Sequence, residues 1–165
     1  MKILGIDPGI GRAGWGVIEV RSSKCEVRSF GCIETSKDES TENRLRTIFE
    51  ELTAIIKSEK PDVVAVENLF FSTNSKTAMI VGEARGVILL AASMLNLSIA
   101  TYTPLQVKIT VTGYGHAEKR QVEKMTMLQL KMTKKPKLDD TTDALAIALT
   151  HAFLYKLNKV KSESH

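Results

Sequence analysis

The chain has 165 residues, about the length of one domain with its own hydrophobic core. Apolar residues are 43% and charged residues 25%, which excludes wholesale disorder, and no run of about 18 apolar residues offers a membrane span. The formal net charge of +4 hints weakly at a polyanionic partner, but it is unevenly spread: residues 101–165 hold 11 basic and 6 acidic groups, while residues 1–100 are nearly balanced.

Residues 2–7 (Lys-Ile-Leu-Gly-Ile-Asp) read as a short buried strand punctuated by Pro8-Gly9. This apolar run is too short for a signal peptide. Residues 13–20 read as a second strand, and a turn at 21–24 leads into a third over 25–34. Strands this close in sequence form an antiparallel meander. Cys25 and Cys32 fall on that third strand, so no disulfide framework is expected and a reducing, cytoplasmic setting follows. No Cys/His zinc pattern is present.

Residues 41–57 have helical spacing, with Leu45, Ile48, Phe49, Leu52, Ile55 and Ile56 on one face and Pro61 beyond the end. Asp62-Val-Val-Ala-Val-Glu67 is a buried strand ending in an acid. Residues 74–96 form a long apolar helix containing Gly82 and Gly86. One face is expected to cover the sheet; the rest is either a two-fold interface or buried under residues 104–132. A strand over 97–102 follows, then a short helix over 104–111 and a loop at Gly113-Tyr114-Gly115. Helices are expected over 117–132 and about 139–157, separated by a basic loop at 133–138. The order βββαβαβ, then helices, implies an α/β fold: a mixed five-stranded sheet, antiparallel meander plus parallel strands, with helices on both faces. One domain is expected over 1–158, with a flexible polar tail at 159–165.

The carboxylates carry the chemistry. Asp7 and Glu67 each end a strand, and parallel neighbours would bring them to one sheet edge, where open α/β sheets bind ligands. Asp140 and Asp143 share a helix face at i, i+3, while Asp139 reads as that helix's N-cap. Each acid has an ordinary explanation too: Asp before Pro-Gly is common turn chemistry, and acids suit helix N-termini. Glu67, interrupting an apolar strand, is the strongest single case. Gathered together, four carboxylates resist ionising, and divalent cations relieve the repulsion. Oxygen ligands without Cys or His suit Mg²⁺ or Mn²⁺, and two such ions support phosphodiester hydrolysis.

Six stretches in order give a more specific signal. They are Ile3-Leu-Gly-Ile-Asp-Pro-Gly9 with Gly14-Trp-Gly-Val-Ile-Glu19; Val66-Glu67 with Phe70-Phe71; Gly82-Glu-Ala-Arg-Gly86; Gln106-Val-Lys108; Gly113-Tyr-Gly-His-Ala-Glu-Lys119 with Gln121-Val122; and Asp140-Thr-Thr-Asp143-Ala-Leu-Ala-Ile-Ala. Over nearly its whole length the sequence resembles the RuvC Holliday-junction resolvases. The resemblance implies an RNase H-like fold and a bacterial, cytoplasmic homodimer that makes paired Mg²⁺-dependent nicks in a four-way DNA junction during recombination and repair. It implies two Mg²⁺ per subunit, with Mn²⁺ as a substitute, held by Asp7, Glu67, Asp140 and Asp143. The RuvAB branch-migration complex is the implied partner.

Two aromatics beside such a site suit base stacking, worth about 1–3 kcal/mol per base, although one of Phe70 and Phe71 is expected to plug the core. The resemblance assigns the base contact to Phe70 and junction contacts to Lys108 and Lys119. Gly113 and Gly115 would let backbone amides approach DNA. Arg85 either faces DNA or pairs with an acid across the dimer. His116 reads as exposed or phosphate-contacting, and His151 as remote from the chemistry. The basic stretch 119–137 suits phosphate binding. Two other readings compete: an actin-like ATPase module, suggested by Gly5-Ile-Asp-Pro-Gly9, and a non-catalytic DNA-binding relative.

Overall fold

A computed structural model describes all residues except 23, 69–74 and 164–165; the side chains of 75–77 and 158–163 are also outside the described set. Phe70 and Phe71 fall outside it.

Five strands form one sheet: β1 (Lys2–Asp7), β2 (Arg12–Arg21), β3 (Lys24–Glu34), β4 (Val63–Glu67) and β5 (Ser98–Tyr102). Their order is β3-β2-β1-β4-β5. The β3-β2-β1 meander is antiparallel, whereas β4 and β5 join β1 in parallel. This is the expected mixed topology. A register shift between Val17 and Ile18 interrupts the β2–β3 ladder.

Strand alternation sorts the core into two layers. Leu4, Ile6, Val64 and Val66 face α1 (Thr41–Glu59) and α2 (Ser75–Met94). Ile3, Val63 and Ala65 face the other way, toward α3 (Pro104–Thr112), α4 (Lys119–Gln129) and α5 (Asp139–Glu163). Helix α1 buries Ile48, Leu52 and Ile56, and Lys60 in the left-handed region ends it just before Pro61.

Helix α2 therefore packs on the sheet face opposite residues 104–132, so those residues do not cover it. Its outer stripe stays open: Met79 is 68% exposed, Leu90 53% and Met94 64%. A β-carbon on Gly86 would meet nothing within 4 Å.

Helix α5 lies directly on β1 and β2 because glycines make room. A β-carbon on Gly5 would sit 2.1 Å from the Ala144 carbonyl oxygen, and one on Gly14 would sit 2.0 Å from that of Asp140. Thr141 Oγ1 also donates to the Gly31 carbonyl at 3.1 Å, tying β3 to the same helix end.

The helix expected over 117–132 is the shorter α4, Lys119–Gln129, and both ends of α5 differ from the sequence reading. Asp139 is the first helical residue of α5 rather than its N-cap, and its carboxylate is taken up by Lys135 instead of the helix backbone. Helix α5 also runs through Glu163, past the end of its apolar pattern at 157.

Candidate active site

The Ile6–Val66 pair closes the parallel β1–β4 register, so Asp7 and Glu67 are each the next residue on neighbouring strands. Alternation turns both carboxylates toward α5. Across the gap, Asp140 and Asp143 occupy the first turn of α5, on the stripe that continues through Ala144 and Ala148 onto Gly5. Asp7, Glu67 and Asp143 line one cavity of about 230 Å³, together with Lys108 from α3 and Lys119 from the first turn of α4. Asp140 stands outside that lining, on the β2 side, where its Oδ2 lies 3.9 Å from Arg12 Nη1.

The electrostatics are those of crowded, half-buried acids. Burial first, and then the Glu67, Asp143 and Asp140 charges, push the Asp7 carboxyl up to about 8. Burial and Asp143 push Glu67 up to about 7. Burial also raises Asp143, against the opposing hydrogen bond and charge of Lys119. Lys119 Nζ is 2.8 Å from Asp143 Oδ2 and 4.0 Å from Asp139 Oδ2. Burial works against its charge, but the Asp143 hydrogen bond and the surrounding carboxylates raise its pKa overall.

The donor set suits a hard divalent cation: carboxylate oxygens and no nitrogen or sulfur. Among the described residues, no group of three or more His, Cys, Asp or Glu side chains is drawn together closely enough to hold a metal ion as it stands. The acids instead hold cations of the chain itself, Lys119 on Asp143 and Arg12 on Asp140. The mutual repulsion of Asp7, Glu67 and Asp143 is what a divalent cation would relieve. His116 is exposed beside the Tyr114 ring. His151 Nδ1 is 2.7 Å from the Tyr102 hydroxyl, two helical turns beyond Asp143. Neither histidine lines the cavity.

The loop glycines have local reasons to be glycine. Gly113 caps α3 at φ 77°, a conformation other residues rarely adopt, and donates to the Ile109 carbonyl. Gly115 sits where a β-carbon would come within 2.9 Å of Leu105 Cδ1.

Three contacts escaped the sequence. Arg85 Nε donates to the Glu67 carbonyl at 3.2 Å, so Arg85 braces the end of β4. Arg12 reaches Asp140. Lys135 bridges Glu123 at 2.8 Å and Asp139 at 3.1 Å. Only the last left a trace, in the i, i+4 spacing of Lys135 and Asp139. Besides the paired Lys119 and Lys135, the basic stretch exposes Arg120, Lys124, Lys131, Lys134 and Lys137.

The model of the family described as crossover junction endodeoxyribonuclease RuvC matches residues 3–151. This chain belongs to the RuvC family. A RuvC from Caldicellulosiruptor saccharolyticus is 52% identical over 152 residues, 92% of each chain. That of Fusobacterium nucleatum is 47% identical over 151 residues, 92% of this chain and 80% of the relative. The structure of T. thermophilus RuvC in complex with a Holliday junction substrate superposes with a TM-score of 0.91 at 36% identity, covering 96% of both chains. The yeast mitochondrial Holliday junction resolvase Ydc2, at 13% identity and a TM-score of 0.71, shares the fold. The RuvC match runs through Gly5-Ile-Asp-Pro-Gly9 and displaces the actin-like ATPase reading of that stretch. The RNase H-like architecture expected from the sequence is the one found.

Proposed function

We propose that the carboxylate cavity at the β1–β4 edge is the phosphodiester-cleaving site of a Holliday-junction resolvase that nicks paired strands during recombination and repair. The observation that carries this reading is the meeting of Asp7, Glu67 and Asp143 in one cavity with Lys108 and Lys119. With Asp140 at its border, the four acids would hold divalent cations. We read these as two Mg²⁺, replaceable by Mn²⁺. Bound there, such cations supply Lewis-acid stabilisation of the phosphate and an activated nucleophile.

The chain's own residues do the rest. Asp7 and Glu67, whose carboxyls are pushed up by burial and neighbouring charge, would have to lose their protons to hold such cations. Lys108 and Lys119 bring positive charge to where the phosphate's charge develops. Arg120, Lys124, Lys131, Lys134 and Lys137 grip flanking phosphates, giving salt-dependent binding without sequence preference. Gly113 and Gly115 keep the adjoining loop small enough for DNA to come close, and Phe70 is the residue we assign to stacking on a base.

A junction is two-fold symmetric, and so is a homodimer. The open stripe of Met79, Leu90 and Met94, with Gly86 permitting close approach, is the face we assign to that dimer. It would place one cavity on each of two opposing strands. No described helix is long and apolar enough to cross a membrane. The two thiols are free. A cytoplasmic setting and a RuvAB partner fit the family membership.

The test is cleavage of synthetic four-way junction, linear duplex and RNA–DNA hybrid, each with and without Mg²⁺. Paired nicks in the junction alone, only with Mg²⁺, are the expected result. Cleavage confined to the hybrid would overturn the reading.

A further inference from the structure

Four side chains beside the cavity form a chain of alternating charge, Lys119–Asp139–Lys135–Glu123. Lys119 Nζ lies 4.0 Å from Asp139 Oδ2. The other Asp139 oxygen, Oδ1, lies 3.1 Å from Lys135 Nζ. Lys135 Nζ lies 2.8 Å from Glu123 Oε2, and Glu123 is one turn along α4 from Lys119. Asp143 joins the Lys119 end of this chain through a 2.8 Å contact. Asp139 does not line the cavity, and each of its oxygens already faces a cation of the chain.

A divalent cation held by Asp143 would compete with the Lys119 ammonium for that carboxylate. The displaced ammonium would need another partner. Asp139 Oδ2 is already within reach, and Lys135 holds that carboxylate in place from the far side. A short swing of the lysine tip exchanges one carboxylate for another and keeps its charge at the rim of the cavity.

We propose that Asp139 is a positioning residue: it receives the Lys119 ammonium released from Asp143, and thereby eases cation entry. This rests on reading the acids as a divalent-cation site. Asp139 acts through Lys119 and not as a ligand. The charge of Asp139 would also attract a cation directly, through space. Only an effect that disappears with Lys119 belongs to the exchange.

The experiment is a double-mutant cycle on Mn²⁺ affinity, read from free Mn²⁺ by electron paramagnetic resonance on the full chain without DNA. Asp139→Asn is expected to weaken Mn²⁺ binding about three- to tenfold. In a Lys119→Met background the same change is expected to cost less than about twofold. Lys135→Met, which loosens Asp139, should weaken binding in the same direction, and it carries the test if Asp139→Asn fails to fold. Unaltered affinity in Asp139→Asn, or an equal loss in both backgrounds, overturns the proposal. Asp7→Asn reports on the underlying site: if it leaves Mn²⁺ affinity unchanged, the cation reading fails and the proposal falls with it.

Discussion

Gly14 of β2 lies against the backbone of Asp140, so that a β-carbon on the glycine would sit 2.0 Å from the aspartate's carbonyl oxygen. No rotamer relieves a clash with backbone. Gly14→Ala must therefore lift the first turn of α5 off the sheet, and Asp140 moves with it. The expected outcome is a loss of about 2–4 kcal/mol in folding stability, read by urea denaturation, with weaker Mn²⁺ binding in whatever folds.

Asp7→Asn keeps the shape of the strand end and removes an acid that could ionise to hold a cation. Losing several kcal/mol of transition-state stabilisation lowers the rate on the order of a thousandfold. Junction binding without metal should persist, because the phosphate-gripping cations are untouched. Single-turnover cleavage and a gel-shift titration in chelator check the two halves.

The raised acids give the stability a pH dependence with a definite sign. Asp7, up to about 8, and Glu67, up to about 7, bind protons more tightly in the folded chain than in the unfolded one. Their contribution is fully present below about pH 4, where both states are protonated, and is lost as pH rises through about 7 and then 8. In chelator the melting temperature should fall between about pH 5 and 9, and Asp7→Asn should flatten the fall. At the alkaline end the variant should melt at least about 3 °C above the wild type. A wild-type melting temperature rising over this range would contradict the assignment. Cation affinity should climb over the same interval, since each proton held by Asp7 or Glu67 must leave first.

The open stripe on α2 predicts its own outcome. Leu90→Glu places a charge at a residue already 53% exposed, so the monomer fold should be unharmed. Sedimentation should show a shift from dimer to monomer, with an unchanged circular dichroism spectrum. Paired nicking should fall far more than single nicking, because the two cuts would no longer come from one complex.

The sequence was most informative where local pattern and tertiary role coincide. Strands β1 and β4 announce themselves as apolar runs, and each ends in the acid that faces the cavity. Parallel adjacency then follows from the crossover through α1. The pairing of Asp140 with Arg12 was not legible, because it joins residues distant in sequence that meet only once Gly14 seats α5. Arg85 was left with two candidate roles, yet its Nε finds a backbone carbonyl, a partner that side-chain pattern never signals. Asp139 was read as a cap because acids start helices. Lys135, four residues earlier, takes its side chain instead.

Every acid of the cavity stands on a strand end or in the first turn of a helix, and the helix that supplies Asp140 and Asp143 follows all five strands in sequence. Its seat is β1 and β2, the earliest strands. A chain emerging from the ribosome can complete the meander and the parallel strands while still lacking half its carboxylates. On the proposed function, a partly made chain lacks acids that cutting needs, and the docking of α5 that finishes the fold also completes the site.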